Sequence, residues 1–325
     1  MEIRGIDFSG GRKPGDDIWI AEGRLEGGEL RIDRCRSAAD RFGETKRGAI
    51  LRSLQETLGR SEGTTGIDAS FGLPAELLPD GVETWTGATR WFADSFADAA
   101  ATGMRERCTS LARSRPGEGV ELKRRTDRTV GASSPYSFIT YYQTLHAIRD
   151  VLAPLVDSGS IAVPPVRTGR PIPPDRDPSR TDSTNASIRR HINGPEVAEG
   201  DRPSPPPDDD GPYRSAGSRN VIEVYPAGTL RRLGTVDTGY KDGADGARDG
   251  RRRILNRLSS TDPGDTAGPD RVSLELPASV RETALEEPGG DALDSVVAAV
   301  ATARAVEREF VTDRPFDDRE GHIYV

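Results

Sequence analysis

The sequence predicts an α/β fold: a mixed sheet, in which an antiparallel three-strand meander is joined by parallel strands, flanked by helices. Three observations carry this expectation. Residues 2–35 hold three short alternating runs separated by glycine-rich turns. A run with helical period follows over residues 45–58. A short apolar run at 64–69 comes next, and a strand directly after a helix suits a parallel crossover back into the sheet.

The elements follow in chain order. Ile3, Ile6 and Phe8 alternate along residues 2–8, and Ser9-Gly10-Gly11 breaks the run. A second run extends from Asp17 to Leu25 with Ile18 and Ile20, and Gly27-Gly28 turns it into a third run from Glu29 to Cys35. Ile50, Leu51, Leu54 and Leu58 then share one helical face, which Gly59 ends. Residues 85–114 and 137–156 read as helices. In the second, Phe138, Tyr141, Tyr142, Leu145, Ile148, Val151 and Leu152 keep the helical period. Ser160 to Val163 is a short strand candidate. Residues 166–219 contain Pro203-Ser204-Pro205-Pro206-Pro207 and Asp208-Asp209-Asp210 with few large apolar side chains, so they form an irregular insertion within a single domain spanning 1–325. Val221 to Tyr225 is a strand that Pro226 stops. Ala227 to Leu233 and Arg251 to Leu258 are short helices, and Asp291 to about Phe310 is the last one.

Composition narrows the function classes. Apolar content is 34 %, lean for a globular chain, and the net charge of −8 excludes a molecule that is basic all over. Only Lys13, Lys46, Lys123 and Lys241 are lysines, so arginine carries most of the positive charge. Abundant Asp and Glu with scarce Lys fits either a halophilic cytoplasm or a GC-rich genome with an acidic bias. Cys35 and Cys108 make neither a disulfide framework nor a zinc knuckle. The chain starts in a strand-like run without a charged-then-apolar leader, and no run is long enough to span a bilayer. A soluble cytoplasmic protein is expected. His146, His191 and His322 have no metal-ligand spacing, Ser9 and Ser70 have no nucleophile pattern around them, and no Walker-type phosphate loop is present.

Acidic residues placed within or beside apolar runs are the strongest chemical signal. Asp7 ends Gly5-Ile6-Asp7, Asp68 ends Gly66-Ile67-Asp68, Glu223 lies inside Val221-Ile222-Glu223-Val224, and Asp291 and Asp294 begin the last helix three residues apart. A carboxylate in a buried strand is costly unless something pairs with it. Such groups brought to one point would hold a divalent cation, Mg2+ or Mn2+, through oxygen ligands. Each has a plainer reading. Asp7 and Asp68 each suit a turn. Glu223 suits the wet face of an edge strand. Asp291 suits a helix N-cap and Asp294 the helix dipole. Lys241, in a Gly/Asp loop, reads more simply as a solvated charge. Trp85, Trp91, Phe92 and Phe96 are either core or a stacking platform. Arg124-Arg125 and Arg251-Arg252-Arg253 are either phosphate contacts or solvated surface, which makes nucleic acid a candidate partner.

Gly5-Ile6-Asp7-Phe8-Ser9-Gly10, Gly66-Ile67-Asp68-Ala69-Ser70-Phe71-Gly72-Leu73-Pro74, Glu223-Val224-Tyr225-Pro226-Ala227 with Arg231-Arg232-Leu233-Gly234, Thr238-Gly239-Tyr240-Lys241 and Asp291-Ala292-Leu293-Asp294 together resemble domain-of-unknown-function family 429. The likeness follows nearly the whole chain in order, apart from 166–219. It implies a ribonuclease-H-like fold and a metal-dependent nuclease or phosphoesterase with two ions bound by carboxylates. On that resemblance Asp7 is shared between the ions, Asp68 and one of Asp291 or Asp294 hold one each, Glu223 is a fourth ligand, and Lys241 or Arg232 steadies the phosphate. Two rival readings use the same fold core. An ATP-dependent phosphotransferase of the actin and sugar-kinase type would use Asp7-Phe8-Ser9-Gly10-Gly11, with Ser9 where that loop has Gly. A catalytically silent binding module would keep the fold alone.

Overall fold

The computed structural model describes residues 1–115, 119–166, 218–241, 246–259 and 272–325. The expected insertion therefore lies almost wholly outside the described residues, as does His191.

Strand β1 (Glu2–Asp7) is followed by a four-residue helix α1 (Pro14–Asp17), then β2 (Trp19–Glu26) and β3 (Glu29–Ser37). The meander is thus present, with α1 added where the sequence reads as a plain break. Helices α2 (Ala38–Phe42) and α3 (Arg47–Arg60) lead to β4 (Gly63–Asp68). The expected helix over 85–114 is two, α4 (Trp85–Ser95) and α5 (Ala101–Arg113). Phe96 caps α4 and turns inward against Phe92, with ring centroids 4.8 Å apart, so burial of that ring wins over helix continuity. Helix α6 (Arg125–Val130) precedes α7 (Tyr141–Ala147), a π turn at Ile148–Leu152, and α8 (Ala153–Asp157). Pro154, which lacks an amide hydrogen, is the second residue after the π turn instead of ending the helix. Residues 160–163 contribute only a single bridge, Ala162 to Asn220.

The second half supplies β5 (Arg219–Val224), α9 (Pro226–Arg232), α10 (Ala247–Ser259), β6 (Ser273–Glu275), α11 (Ala278–Glu286), α12 (Asp291–Glu307) and β7 (Ile323–Tyr324). Pro226 opens α9 at a position where its missing amide costs nothing. The strands form one mixed sheet in the order β6-β3-β2-β1-β4-β5-β7. β1 pairs antiparallel with β2 and parallel with β4, and β4 pairs parallel with β5. An α/β fold with a mixed sheet flanked by helices is what the meander and the crossover strand predicted.

Strand alternation sorts the core into two layers. Ile3, Ile222 and Val224 face the layer built by α9 to α12. Ile6, Phe8, Ile67 and Val221 face the layer containing Leu51 and Leu54 of α3 and Leu155 of α8. Two glycines let α12 settle directly on the middle of the sheet. A Cβ on Gly5 would lie 2.2 Å from the backbone of Ser295 and Ala299, and one on Gly66 would lie 2.0 Å from Thr302 Oγ1. Ala298, Ala299, Ala301 and Ala303 of α12 are buried and keep its side of this contact thin.

Candidate functional site

Asp7 and Asp68 are register partners at the ends of neighbouring parallel strands. Each stands two residues after a glycine that faces α12, so both carboxylates point to the α12 side of the sheet. The glycine notches bring the first turn of α12 against the same strand ends, and Asp294 is buried there. Tyr240 Oη donates to Asp294 Oδ1 at 2.8 Å. Lys241 forms ion pairs with Asp294 and, at 3.6 Å, with Asp291. Its stem crosses Gly290, whose φ of +80° and lack of Cβ make room (an added Cβ would meet Lys241 Cγ at 2.9 Å). The backbone that presents Tyr240 and Lys241 is held by buried Arg251, which donates to Tyr240 O at 2.7 Å and to Leu285 O at 2.8 Å.

The electrostatics are those of crowded acids with too little positive charge. Burial, partly relieved by Lys241 and worsened by Asp294 and Asp291, holds Asp7 well above the usual carboxylate range. Burial and then Asp294 push Asp68 up to about 8. Burial raises Asp291 to about 6. Lys241 responds in the opposite sense: burial works against its charge, but Asp294 and Asp7 outweigh that and keep its ammonium above the ordinary lysine range. Lys241 is therefore not the solvated loop charge that its surroundings in sequence suggest. Asp291 is not the N-cap either, because Gly290 takes that position and Asp291 is the first helical residue.

Glu223 is not brought into this group. It is register partner to Ile67, not to Asp68, so its side chain leaves the opposite face of the sheet. There Arg124 binds it through both terminal nitrogens, with Nη1 2.7 Å from Oε2, and Phe71 N donates to it at 2.9 Å. The reading of Glu223 on an edge strand fails too, since β5 lies between β4 and β7 and Glu223 is buried. Arg124 is fully buried and also holds Asp127 at 2.7 Å, which removes it from both surface and phosphate contact. Trp85, Phe92 and Phe96 are buried, so they are core and not a stacking platform. Arg232 pairs with Asp313 at 3.2 Å. His146 faces Asp150 along its own helix at 2.6 Å.

From the sequence Tyr240 has no assigned role, and Arg251 reads as either a phosphate contact or solvated surface, whereas it is buried and holds the backbone of Tyr240. The signal for Tyr240 was its place beside Lys241 in Thr238-Gly239-Tyr240-Lys241, while nothing in three consecutive arginines distinguishes Arg251 from its neighbours. Among the described residues no group of three His, Cys, Asp or Glu side chains is arranged to hold a metal ion. No described helix is long and apolar enough to cross a membrane.

Residues 207–320 match the model of a family described as protein of unknown function (DUF429). The matched span is less than half of the chain. It contains Lys241, Asp291 and Asp294 and leaves out Asp7 and Asp68, so it supports the resemblance read from the motifs over the second half only. No curated protein and no solved structure matches the chain.

Proposed function

We propose that the chain is a metal-dependent phosphodiesterase of the nuclease type on a ribonuclease-H-like fold, with Asp7, Asp68 and Asp294 at its centre and Asp291 beside them. The observation that carries this reading is the register pairing of Asp7 with Asp68 on one face of the sheet, capped by the acidic first turn of α12. The strand order β3-β2-β1-β4-β5, with β1 central and β2 its only antiparallel neighbour, supports the fold assignment.

The residues fit a hard divalent ion by donor type and by charge. All the donors are carboxylate oxygens, and the raised Asp7 and Asp68 mark a place where added positive charge is favourable. Lys241 and Tyr240 already engage Asp294, and among the described residues no three such side chains are arranged to hold an ion. Asp7 and Asp68 would hold the ion, with Asp294 as the neighbouring carboxylate. A bound ion would polarise the phosphoryl oxygen and make a coordinated water nucleophilic near neutral pH.

The chain's own residues do the rest. Asp7 and Asp68 would bind the ion as carboxylates. Tyr240 keeps Asp294 in position through its hydroxyl. Lys241, on a stem that reaches across Gly290, offers its ammonium to a phosphate oxygen of the substrate. Glu223 takes no part, because Arg124 occupies both of its oxygens. Replacing Asp7 with Asn abolishes Mg2+- or Mn2+-dependent cleavage of an oligonucleotide on this reading, and cleavage that persists in Asp7→Asn sinks it.

A catalytically silent module has one observation in its favour, the internal cation Lys241 already set among the acids. It predicts no Mn2+ binding by a folded wild-type chain.

A further inference from the structure

The described residues expose few large apolar side chains, and three of them form one patch. Phe138, Ile139 and Tyr142 are 75 %, 81 % and 43 % exposed. The sequence pattern puts Phe138 within a helix over 137–156. It lies instead in a turn ahead of α7, and hydroxyl hydrogen bonds tie that turn down. Ser137 and Thr140 share one at 2.9 Å, and Thr144 Oγ1 donates to Pro135 O at 2.6 Å. The apolar side chains are therefore held outward by a fixed backbone. Rings run on from one another: Phe138 to Tyr141 is 6.3 Å between centroids, and Tyr141 to Tyr142 is 4.5 Å. The Arg105 guanidinium lies 5.9 Å from the centroids of both Phe138 and Tyr141 while paired with Glu121 at 3.1 Å.

The patch adjoins the loop that follows β1, the strand that ends in Asp7. Tyr142 packs on the loop that leaves β1, since a Cβ on Gly10 would lie 2.4 Å from Tyr142 Cβ. The next residue, Gly11, lies against the carboxylate of Asp17. Arg12 and Lys13 of this loop are exposed. Arg47 donates to Gly10 O at 3.2 Å and also to Gly11 O, and its Nη1 is buried without a hydrogen-bond partner. A chain of rings and cations thus leads to the strand end that carries Asp7.

We infer that the Phe138–Tyr142 patch is a stacking platform for the unpaired bases of a single-stranded nucleic acid whose backbone passes along the Ser9–Lys13 loop toward Asp7. This rests on the phosphodiesterase reading and narrows its substrate class. Exposed rings bind any base through its face, and arginine adds to that attraction. A duplex keeps its base faces covered and gains nothing from such rings. The cations at the loop suit a phosphate backbone, whereas a purely apolar partner would leave them unused.

The test is fluorescence anisotropy with labelled fifteen-nucleotide dT and U strands and a blunt duplex, using the full chain in EDTA so that no metal-dependent cleavage occurs. Phe138→Ala and Tyr142→Ala each weaken single-strand binding about tenfold, while Tyr142→Phe, which keeps the ring, stays near wild type. The duplex binds more weakly than either strand. Because all three side chains are exposed, circular dichroism should be the same for every variant. The inference is overturned if wild type does not bind the strands, if the duplex binds equally well, or if the double variant binds as wild type does. It is overturned as well if light scattering shows a wild-type dimer that the double variant dissolves, since the patch then serves a second copy of the chain. Asp7→Asn separates the two proposals: strand binding without cleavage supports both, and unchanged cleavage removes only the phosphodiesterase reading.

Discussion

Two acidic groups lie at the ends of adjacent parallel strands, on opposite faces of the same sheet. On the face away from α12, Glu223 and Asp127 converge on Arg124, and Glu320 accepts from the amides of Ala75 and Arg125 at 2.7 Å each. Every acid there has a dedicated donor, and the guanidinium fork satisfies two carboxylates at once. Burial raises Glu223, but Arg124 and the Phe71 amide work against it. On the α12 face, Asp7, Asp68, Asp291 and Asp294 share one lysine, and burial pushes the first three upward. The same strand ends thus support a satisfied ionic staple and an unsatisfied one. Internal pairing marks the Arg124 group as structural. Among the described residues the four acids of the Asp7 group share the single lysine Lys241, the feature on which the proposed ion site rests.

Substitutions should separate the two faces. The largest effect is expected at Arg124. Arg124→Met leaves Glu223 and Asp127 buried without their cation and should cost about 3–5 kcal/mol of stability, read as a shift of the urea midpoint. A cost below about 1 kcal/mol would mean that the staple holds nothing together. A smaller effect of opposite sign is expected at Asp68. Its folded-state pKa is raised from 3.8 to about 8, so the folded chain keeps a proton that the unfolded chain has released. The folded chain therefore loses stability as pH rises from about 4 toward about 8. Asp68→Asn removes that loss. It should stabilise the metal-free protein by roughly 2 kcal/mol near pH 8 and have little effect near pH 4, as read from melting curves. Equal melting shifts at both ends of the range would show that Asp68 carries no buried charge.

Much of this contrast was legible in the sequence. Asp7 and Asp68 each close an apolar run, and the order strand, strand, strand, helix, strand makes their strands neighbours. Asp291 and Asp294 announce themselves at a helix start after Gly289-Gly290. The face of Glu223 was not legible. Val221, Ile222 and Val224 are all buried because both sides of β5 are covered, so the run has no polar side from which to read its parity. Arg124 was hidden in Arg124-Arg125, since two adjacent arginines look like surface and only the tertiary fold turns one inward. Phe138 kept a helical period that the turn at 134–140 does not follow. The depth of Asp294 depends on how closely α12 approaches Gly5 and Gly66, a distance that composition does not report.

The central claim is that the acids of the Asp7 face have one lysine between them, whereas each acid of the Arg124 face has its own donor. Isothermal calorimetry with Mn2+, run in two buffers of different ionisation enthalpy, tests it most directly. The account predicts saturable binding by the wild-type chain, with protons released as Asp7 and Asp68 ionise, and loss of that binding in Asp7→Asn while Glu223→Gln, if folded, retains it. Binding that is absent from the wild type, or identical in Asp7→Asn, would contradict it.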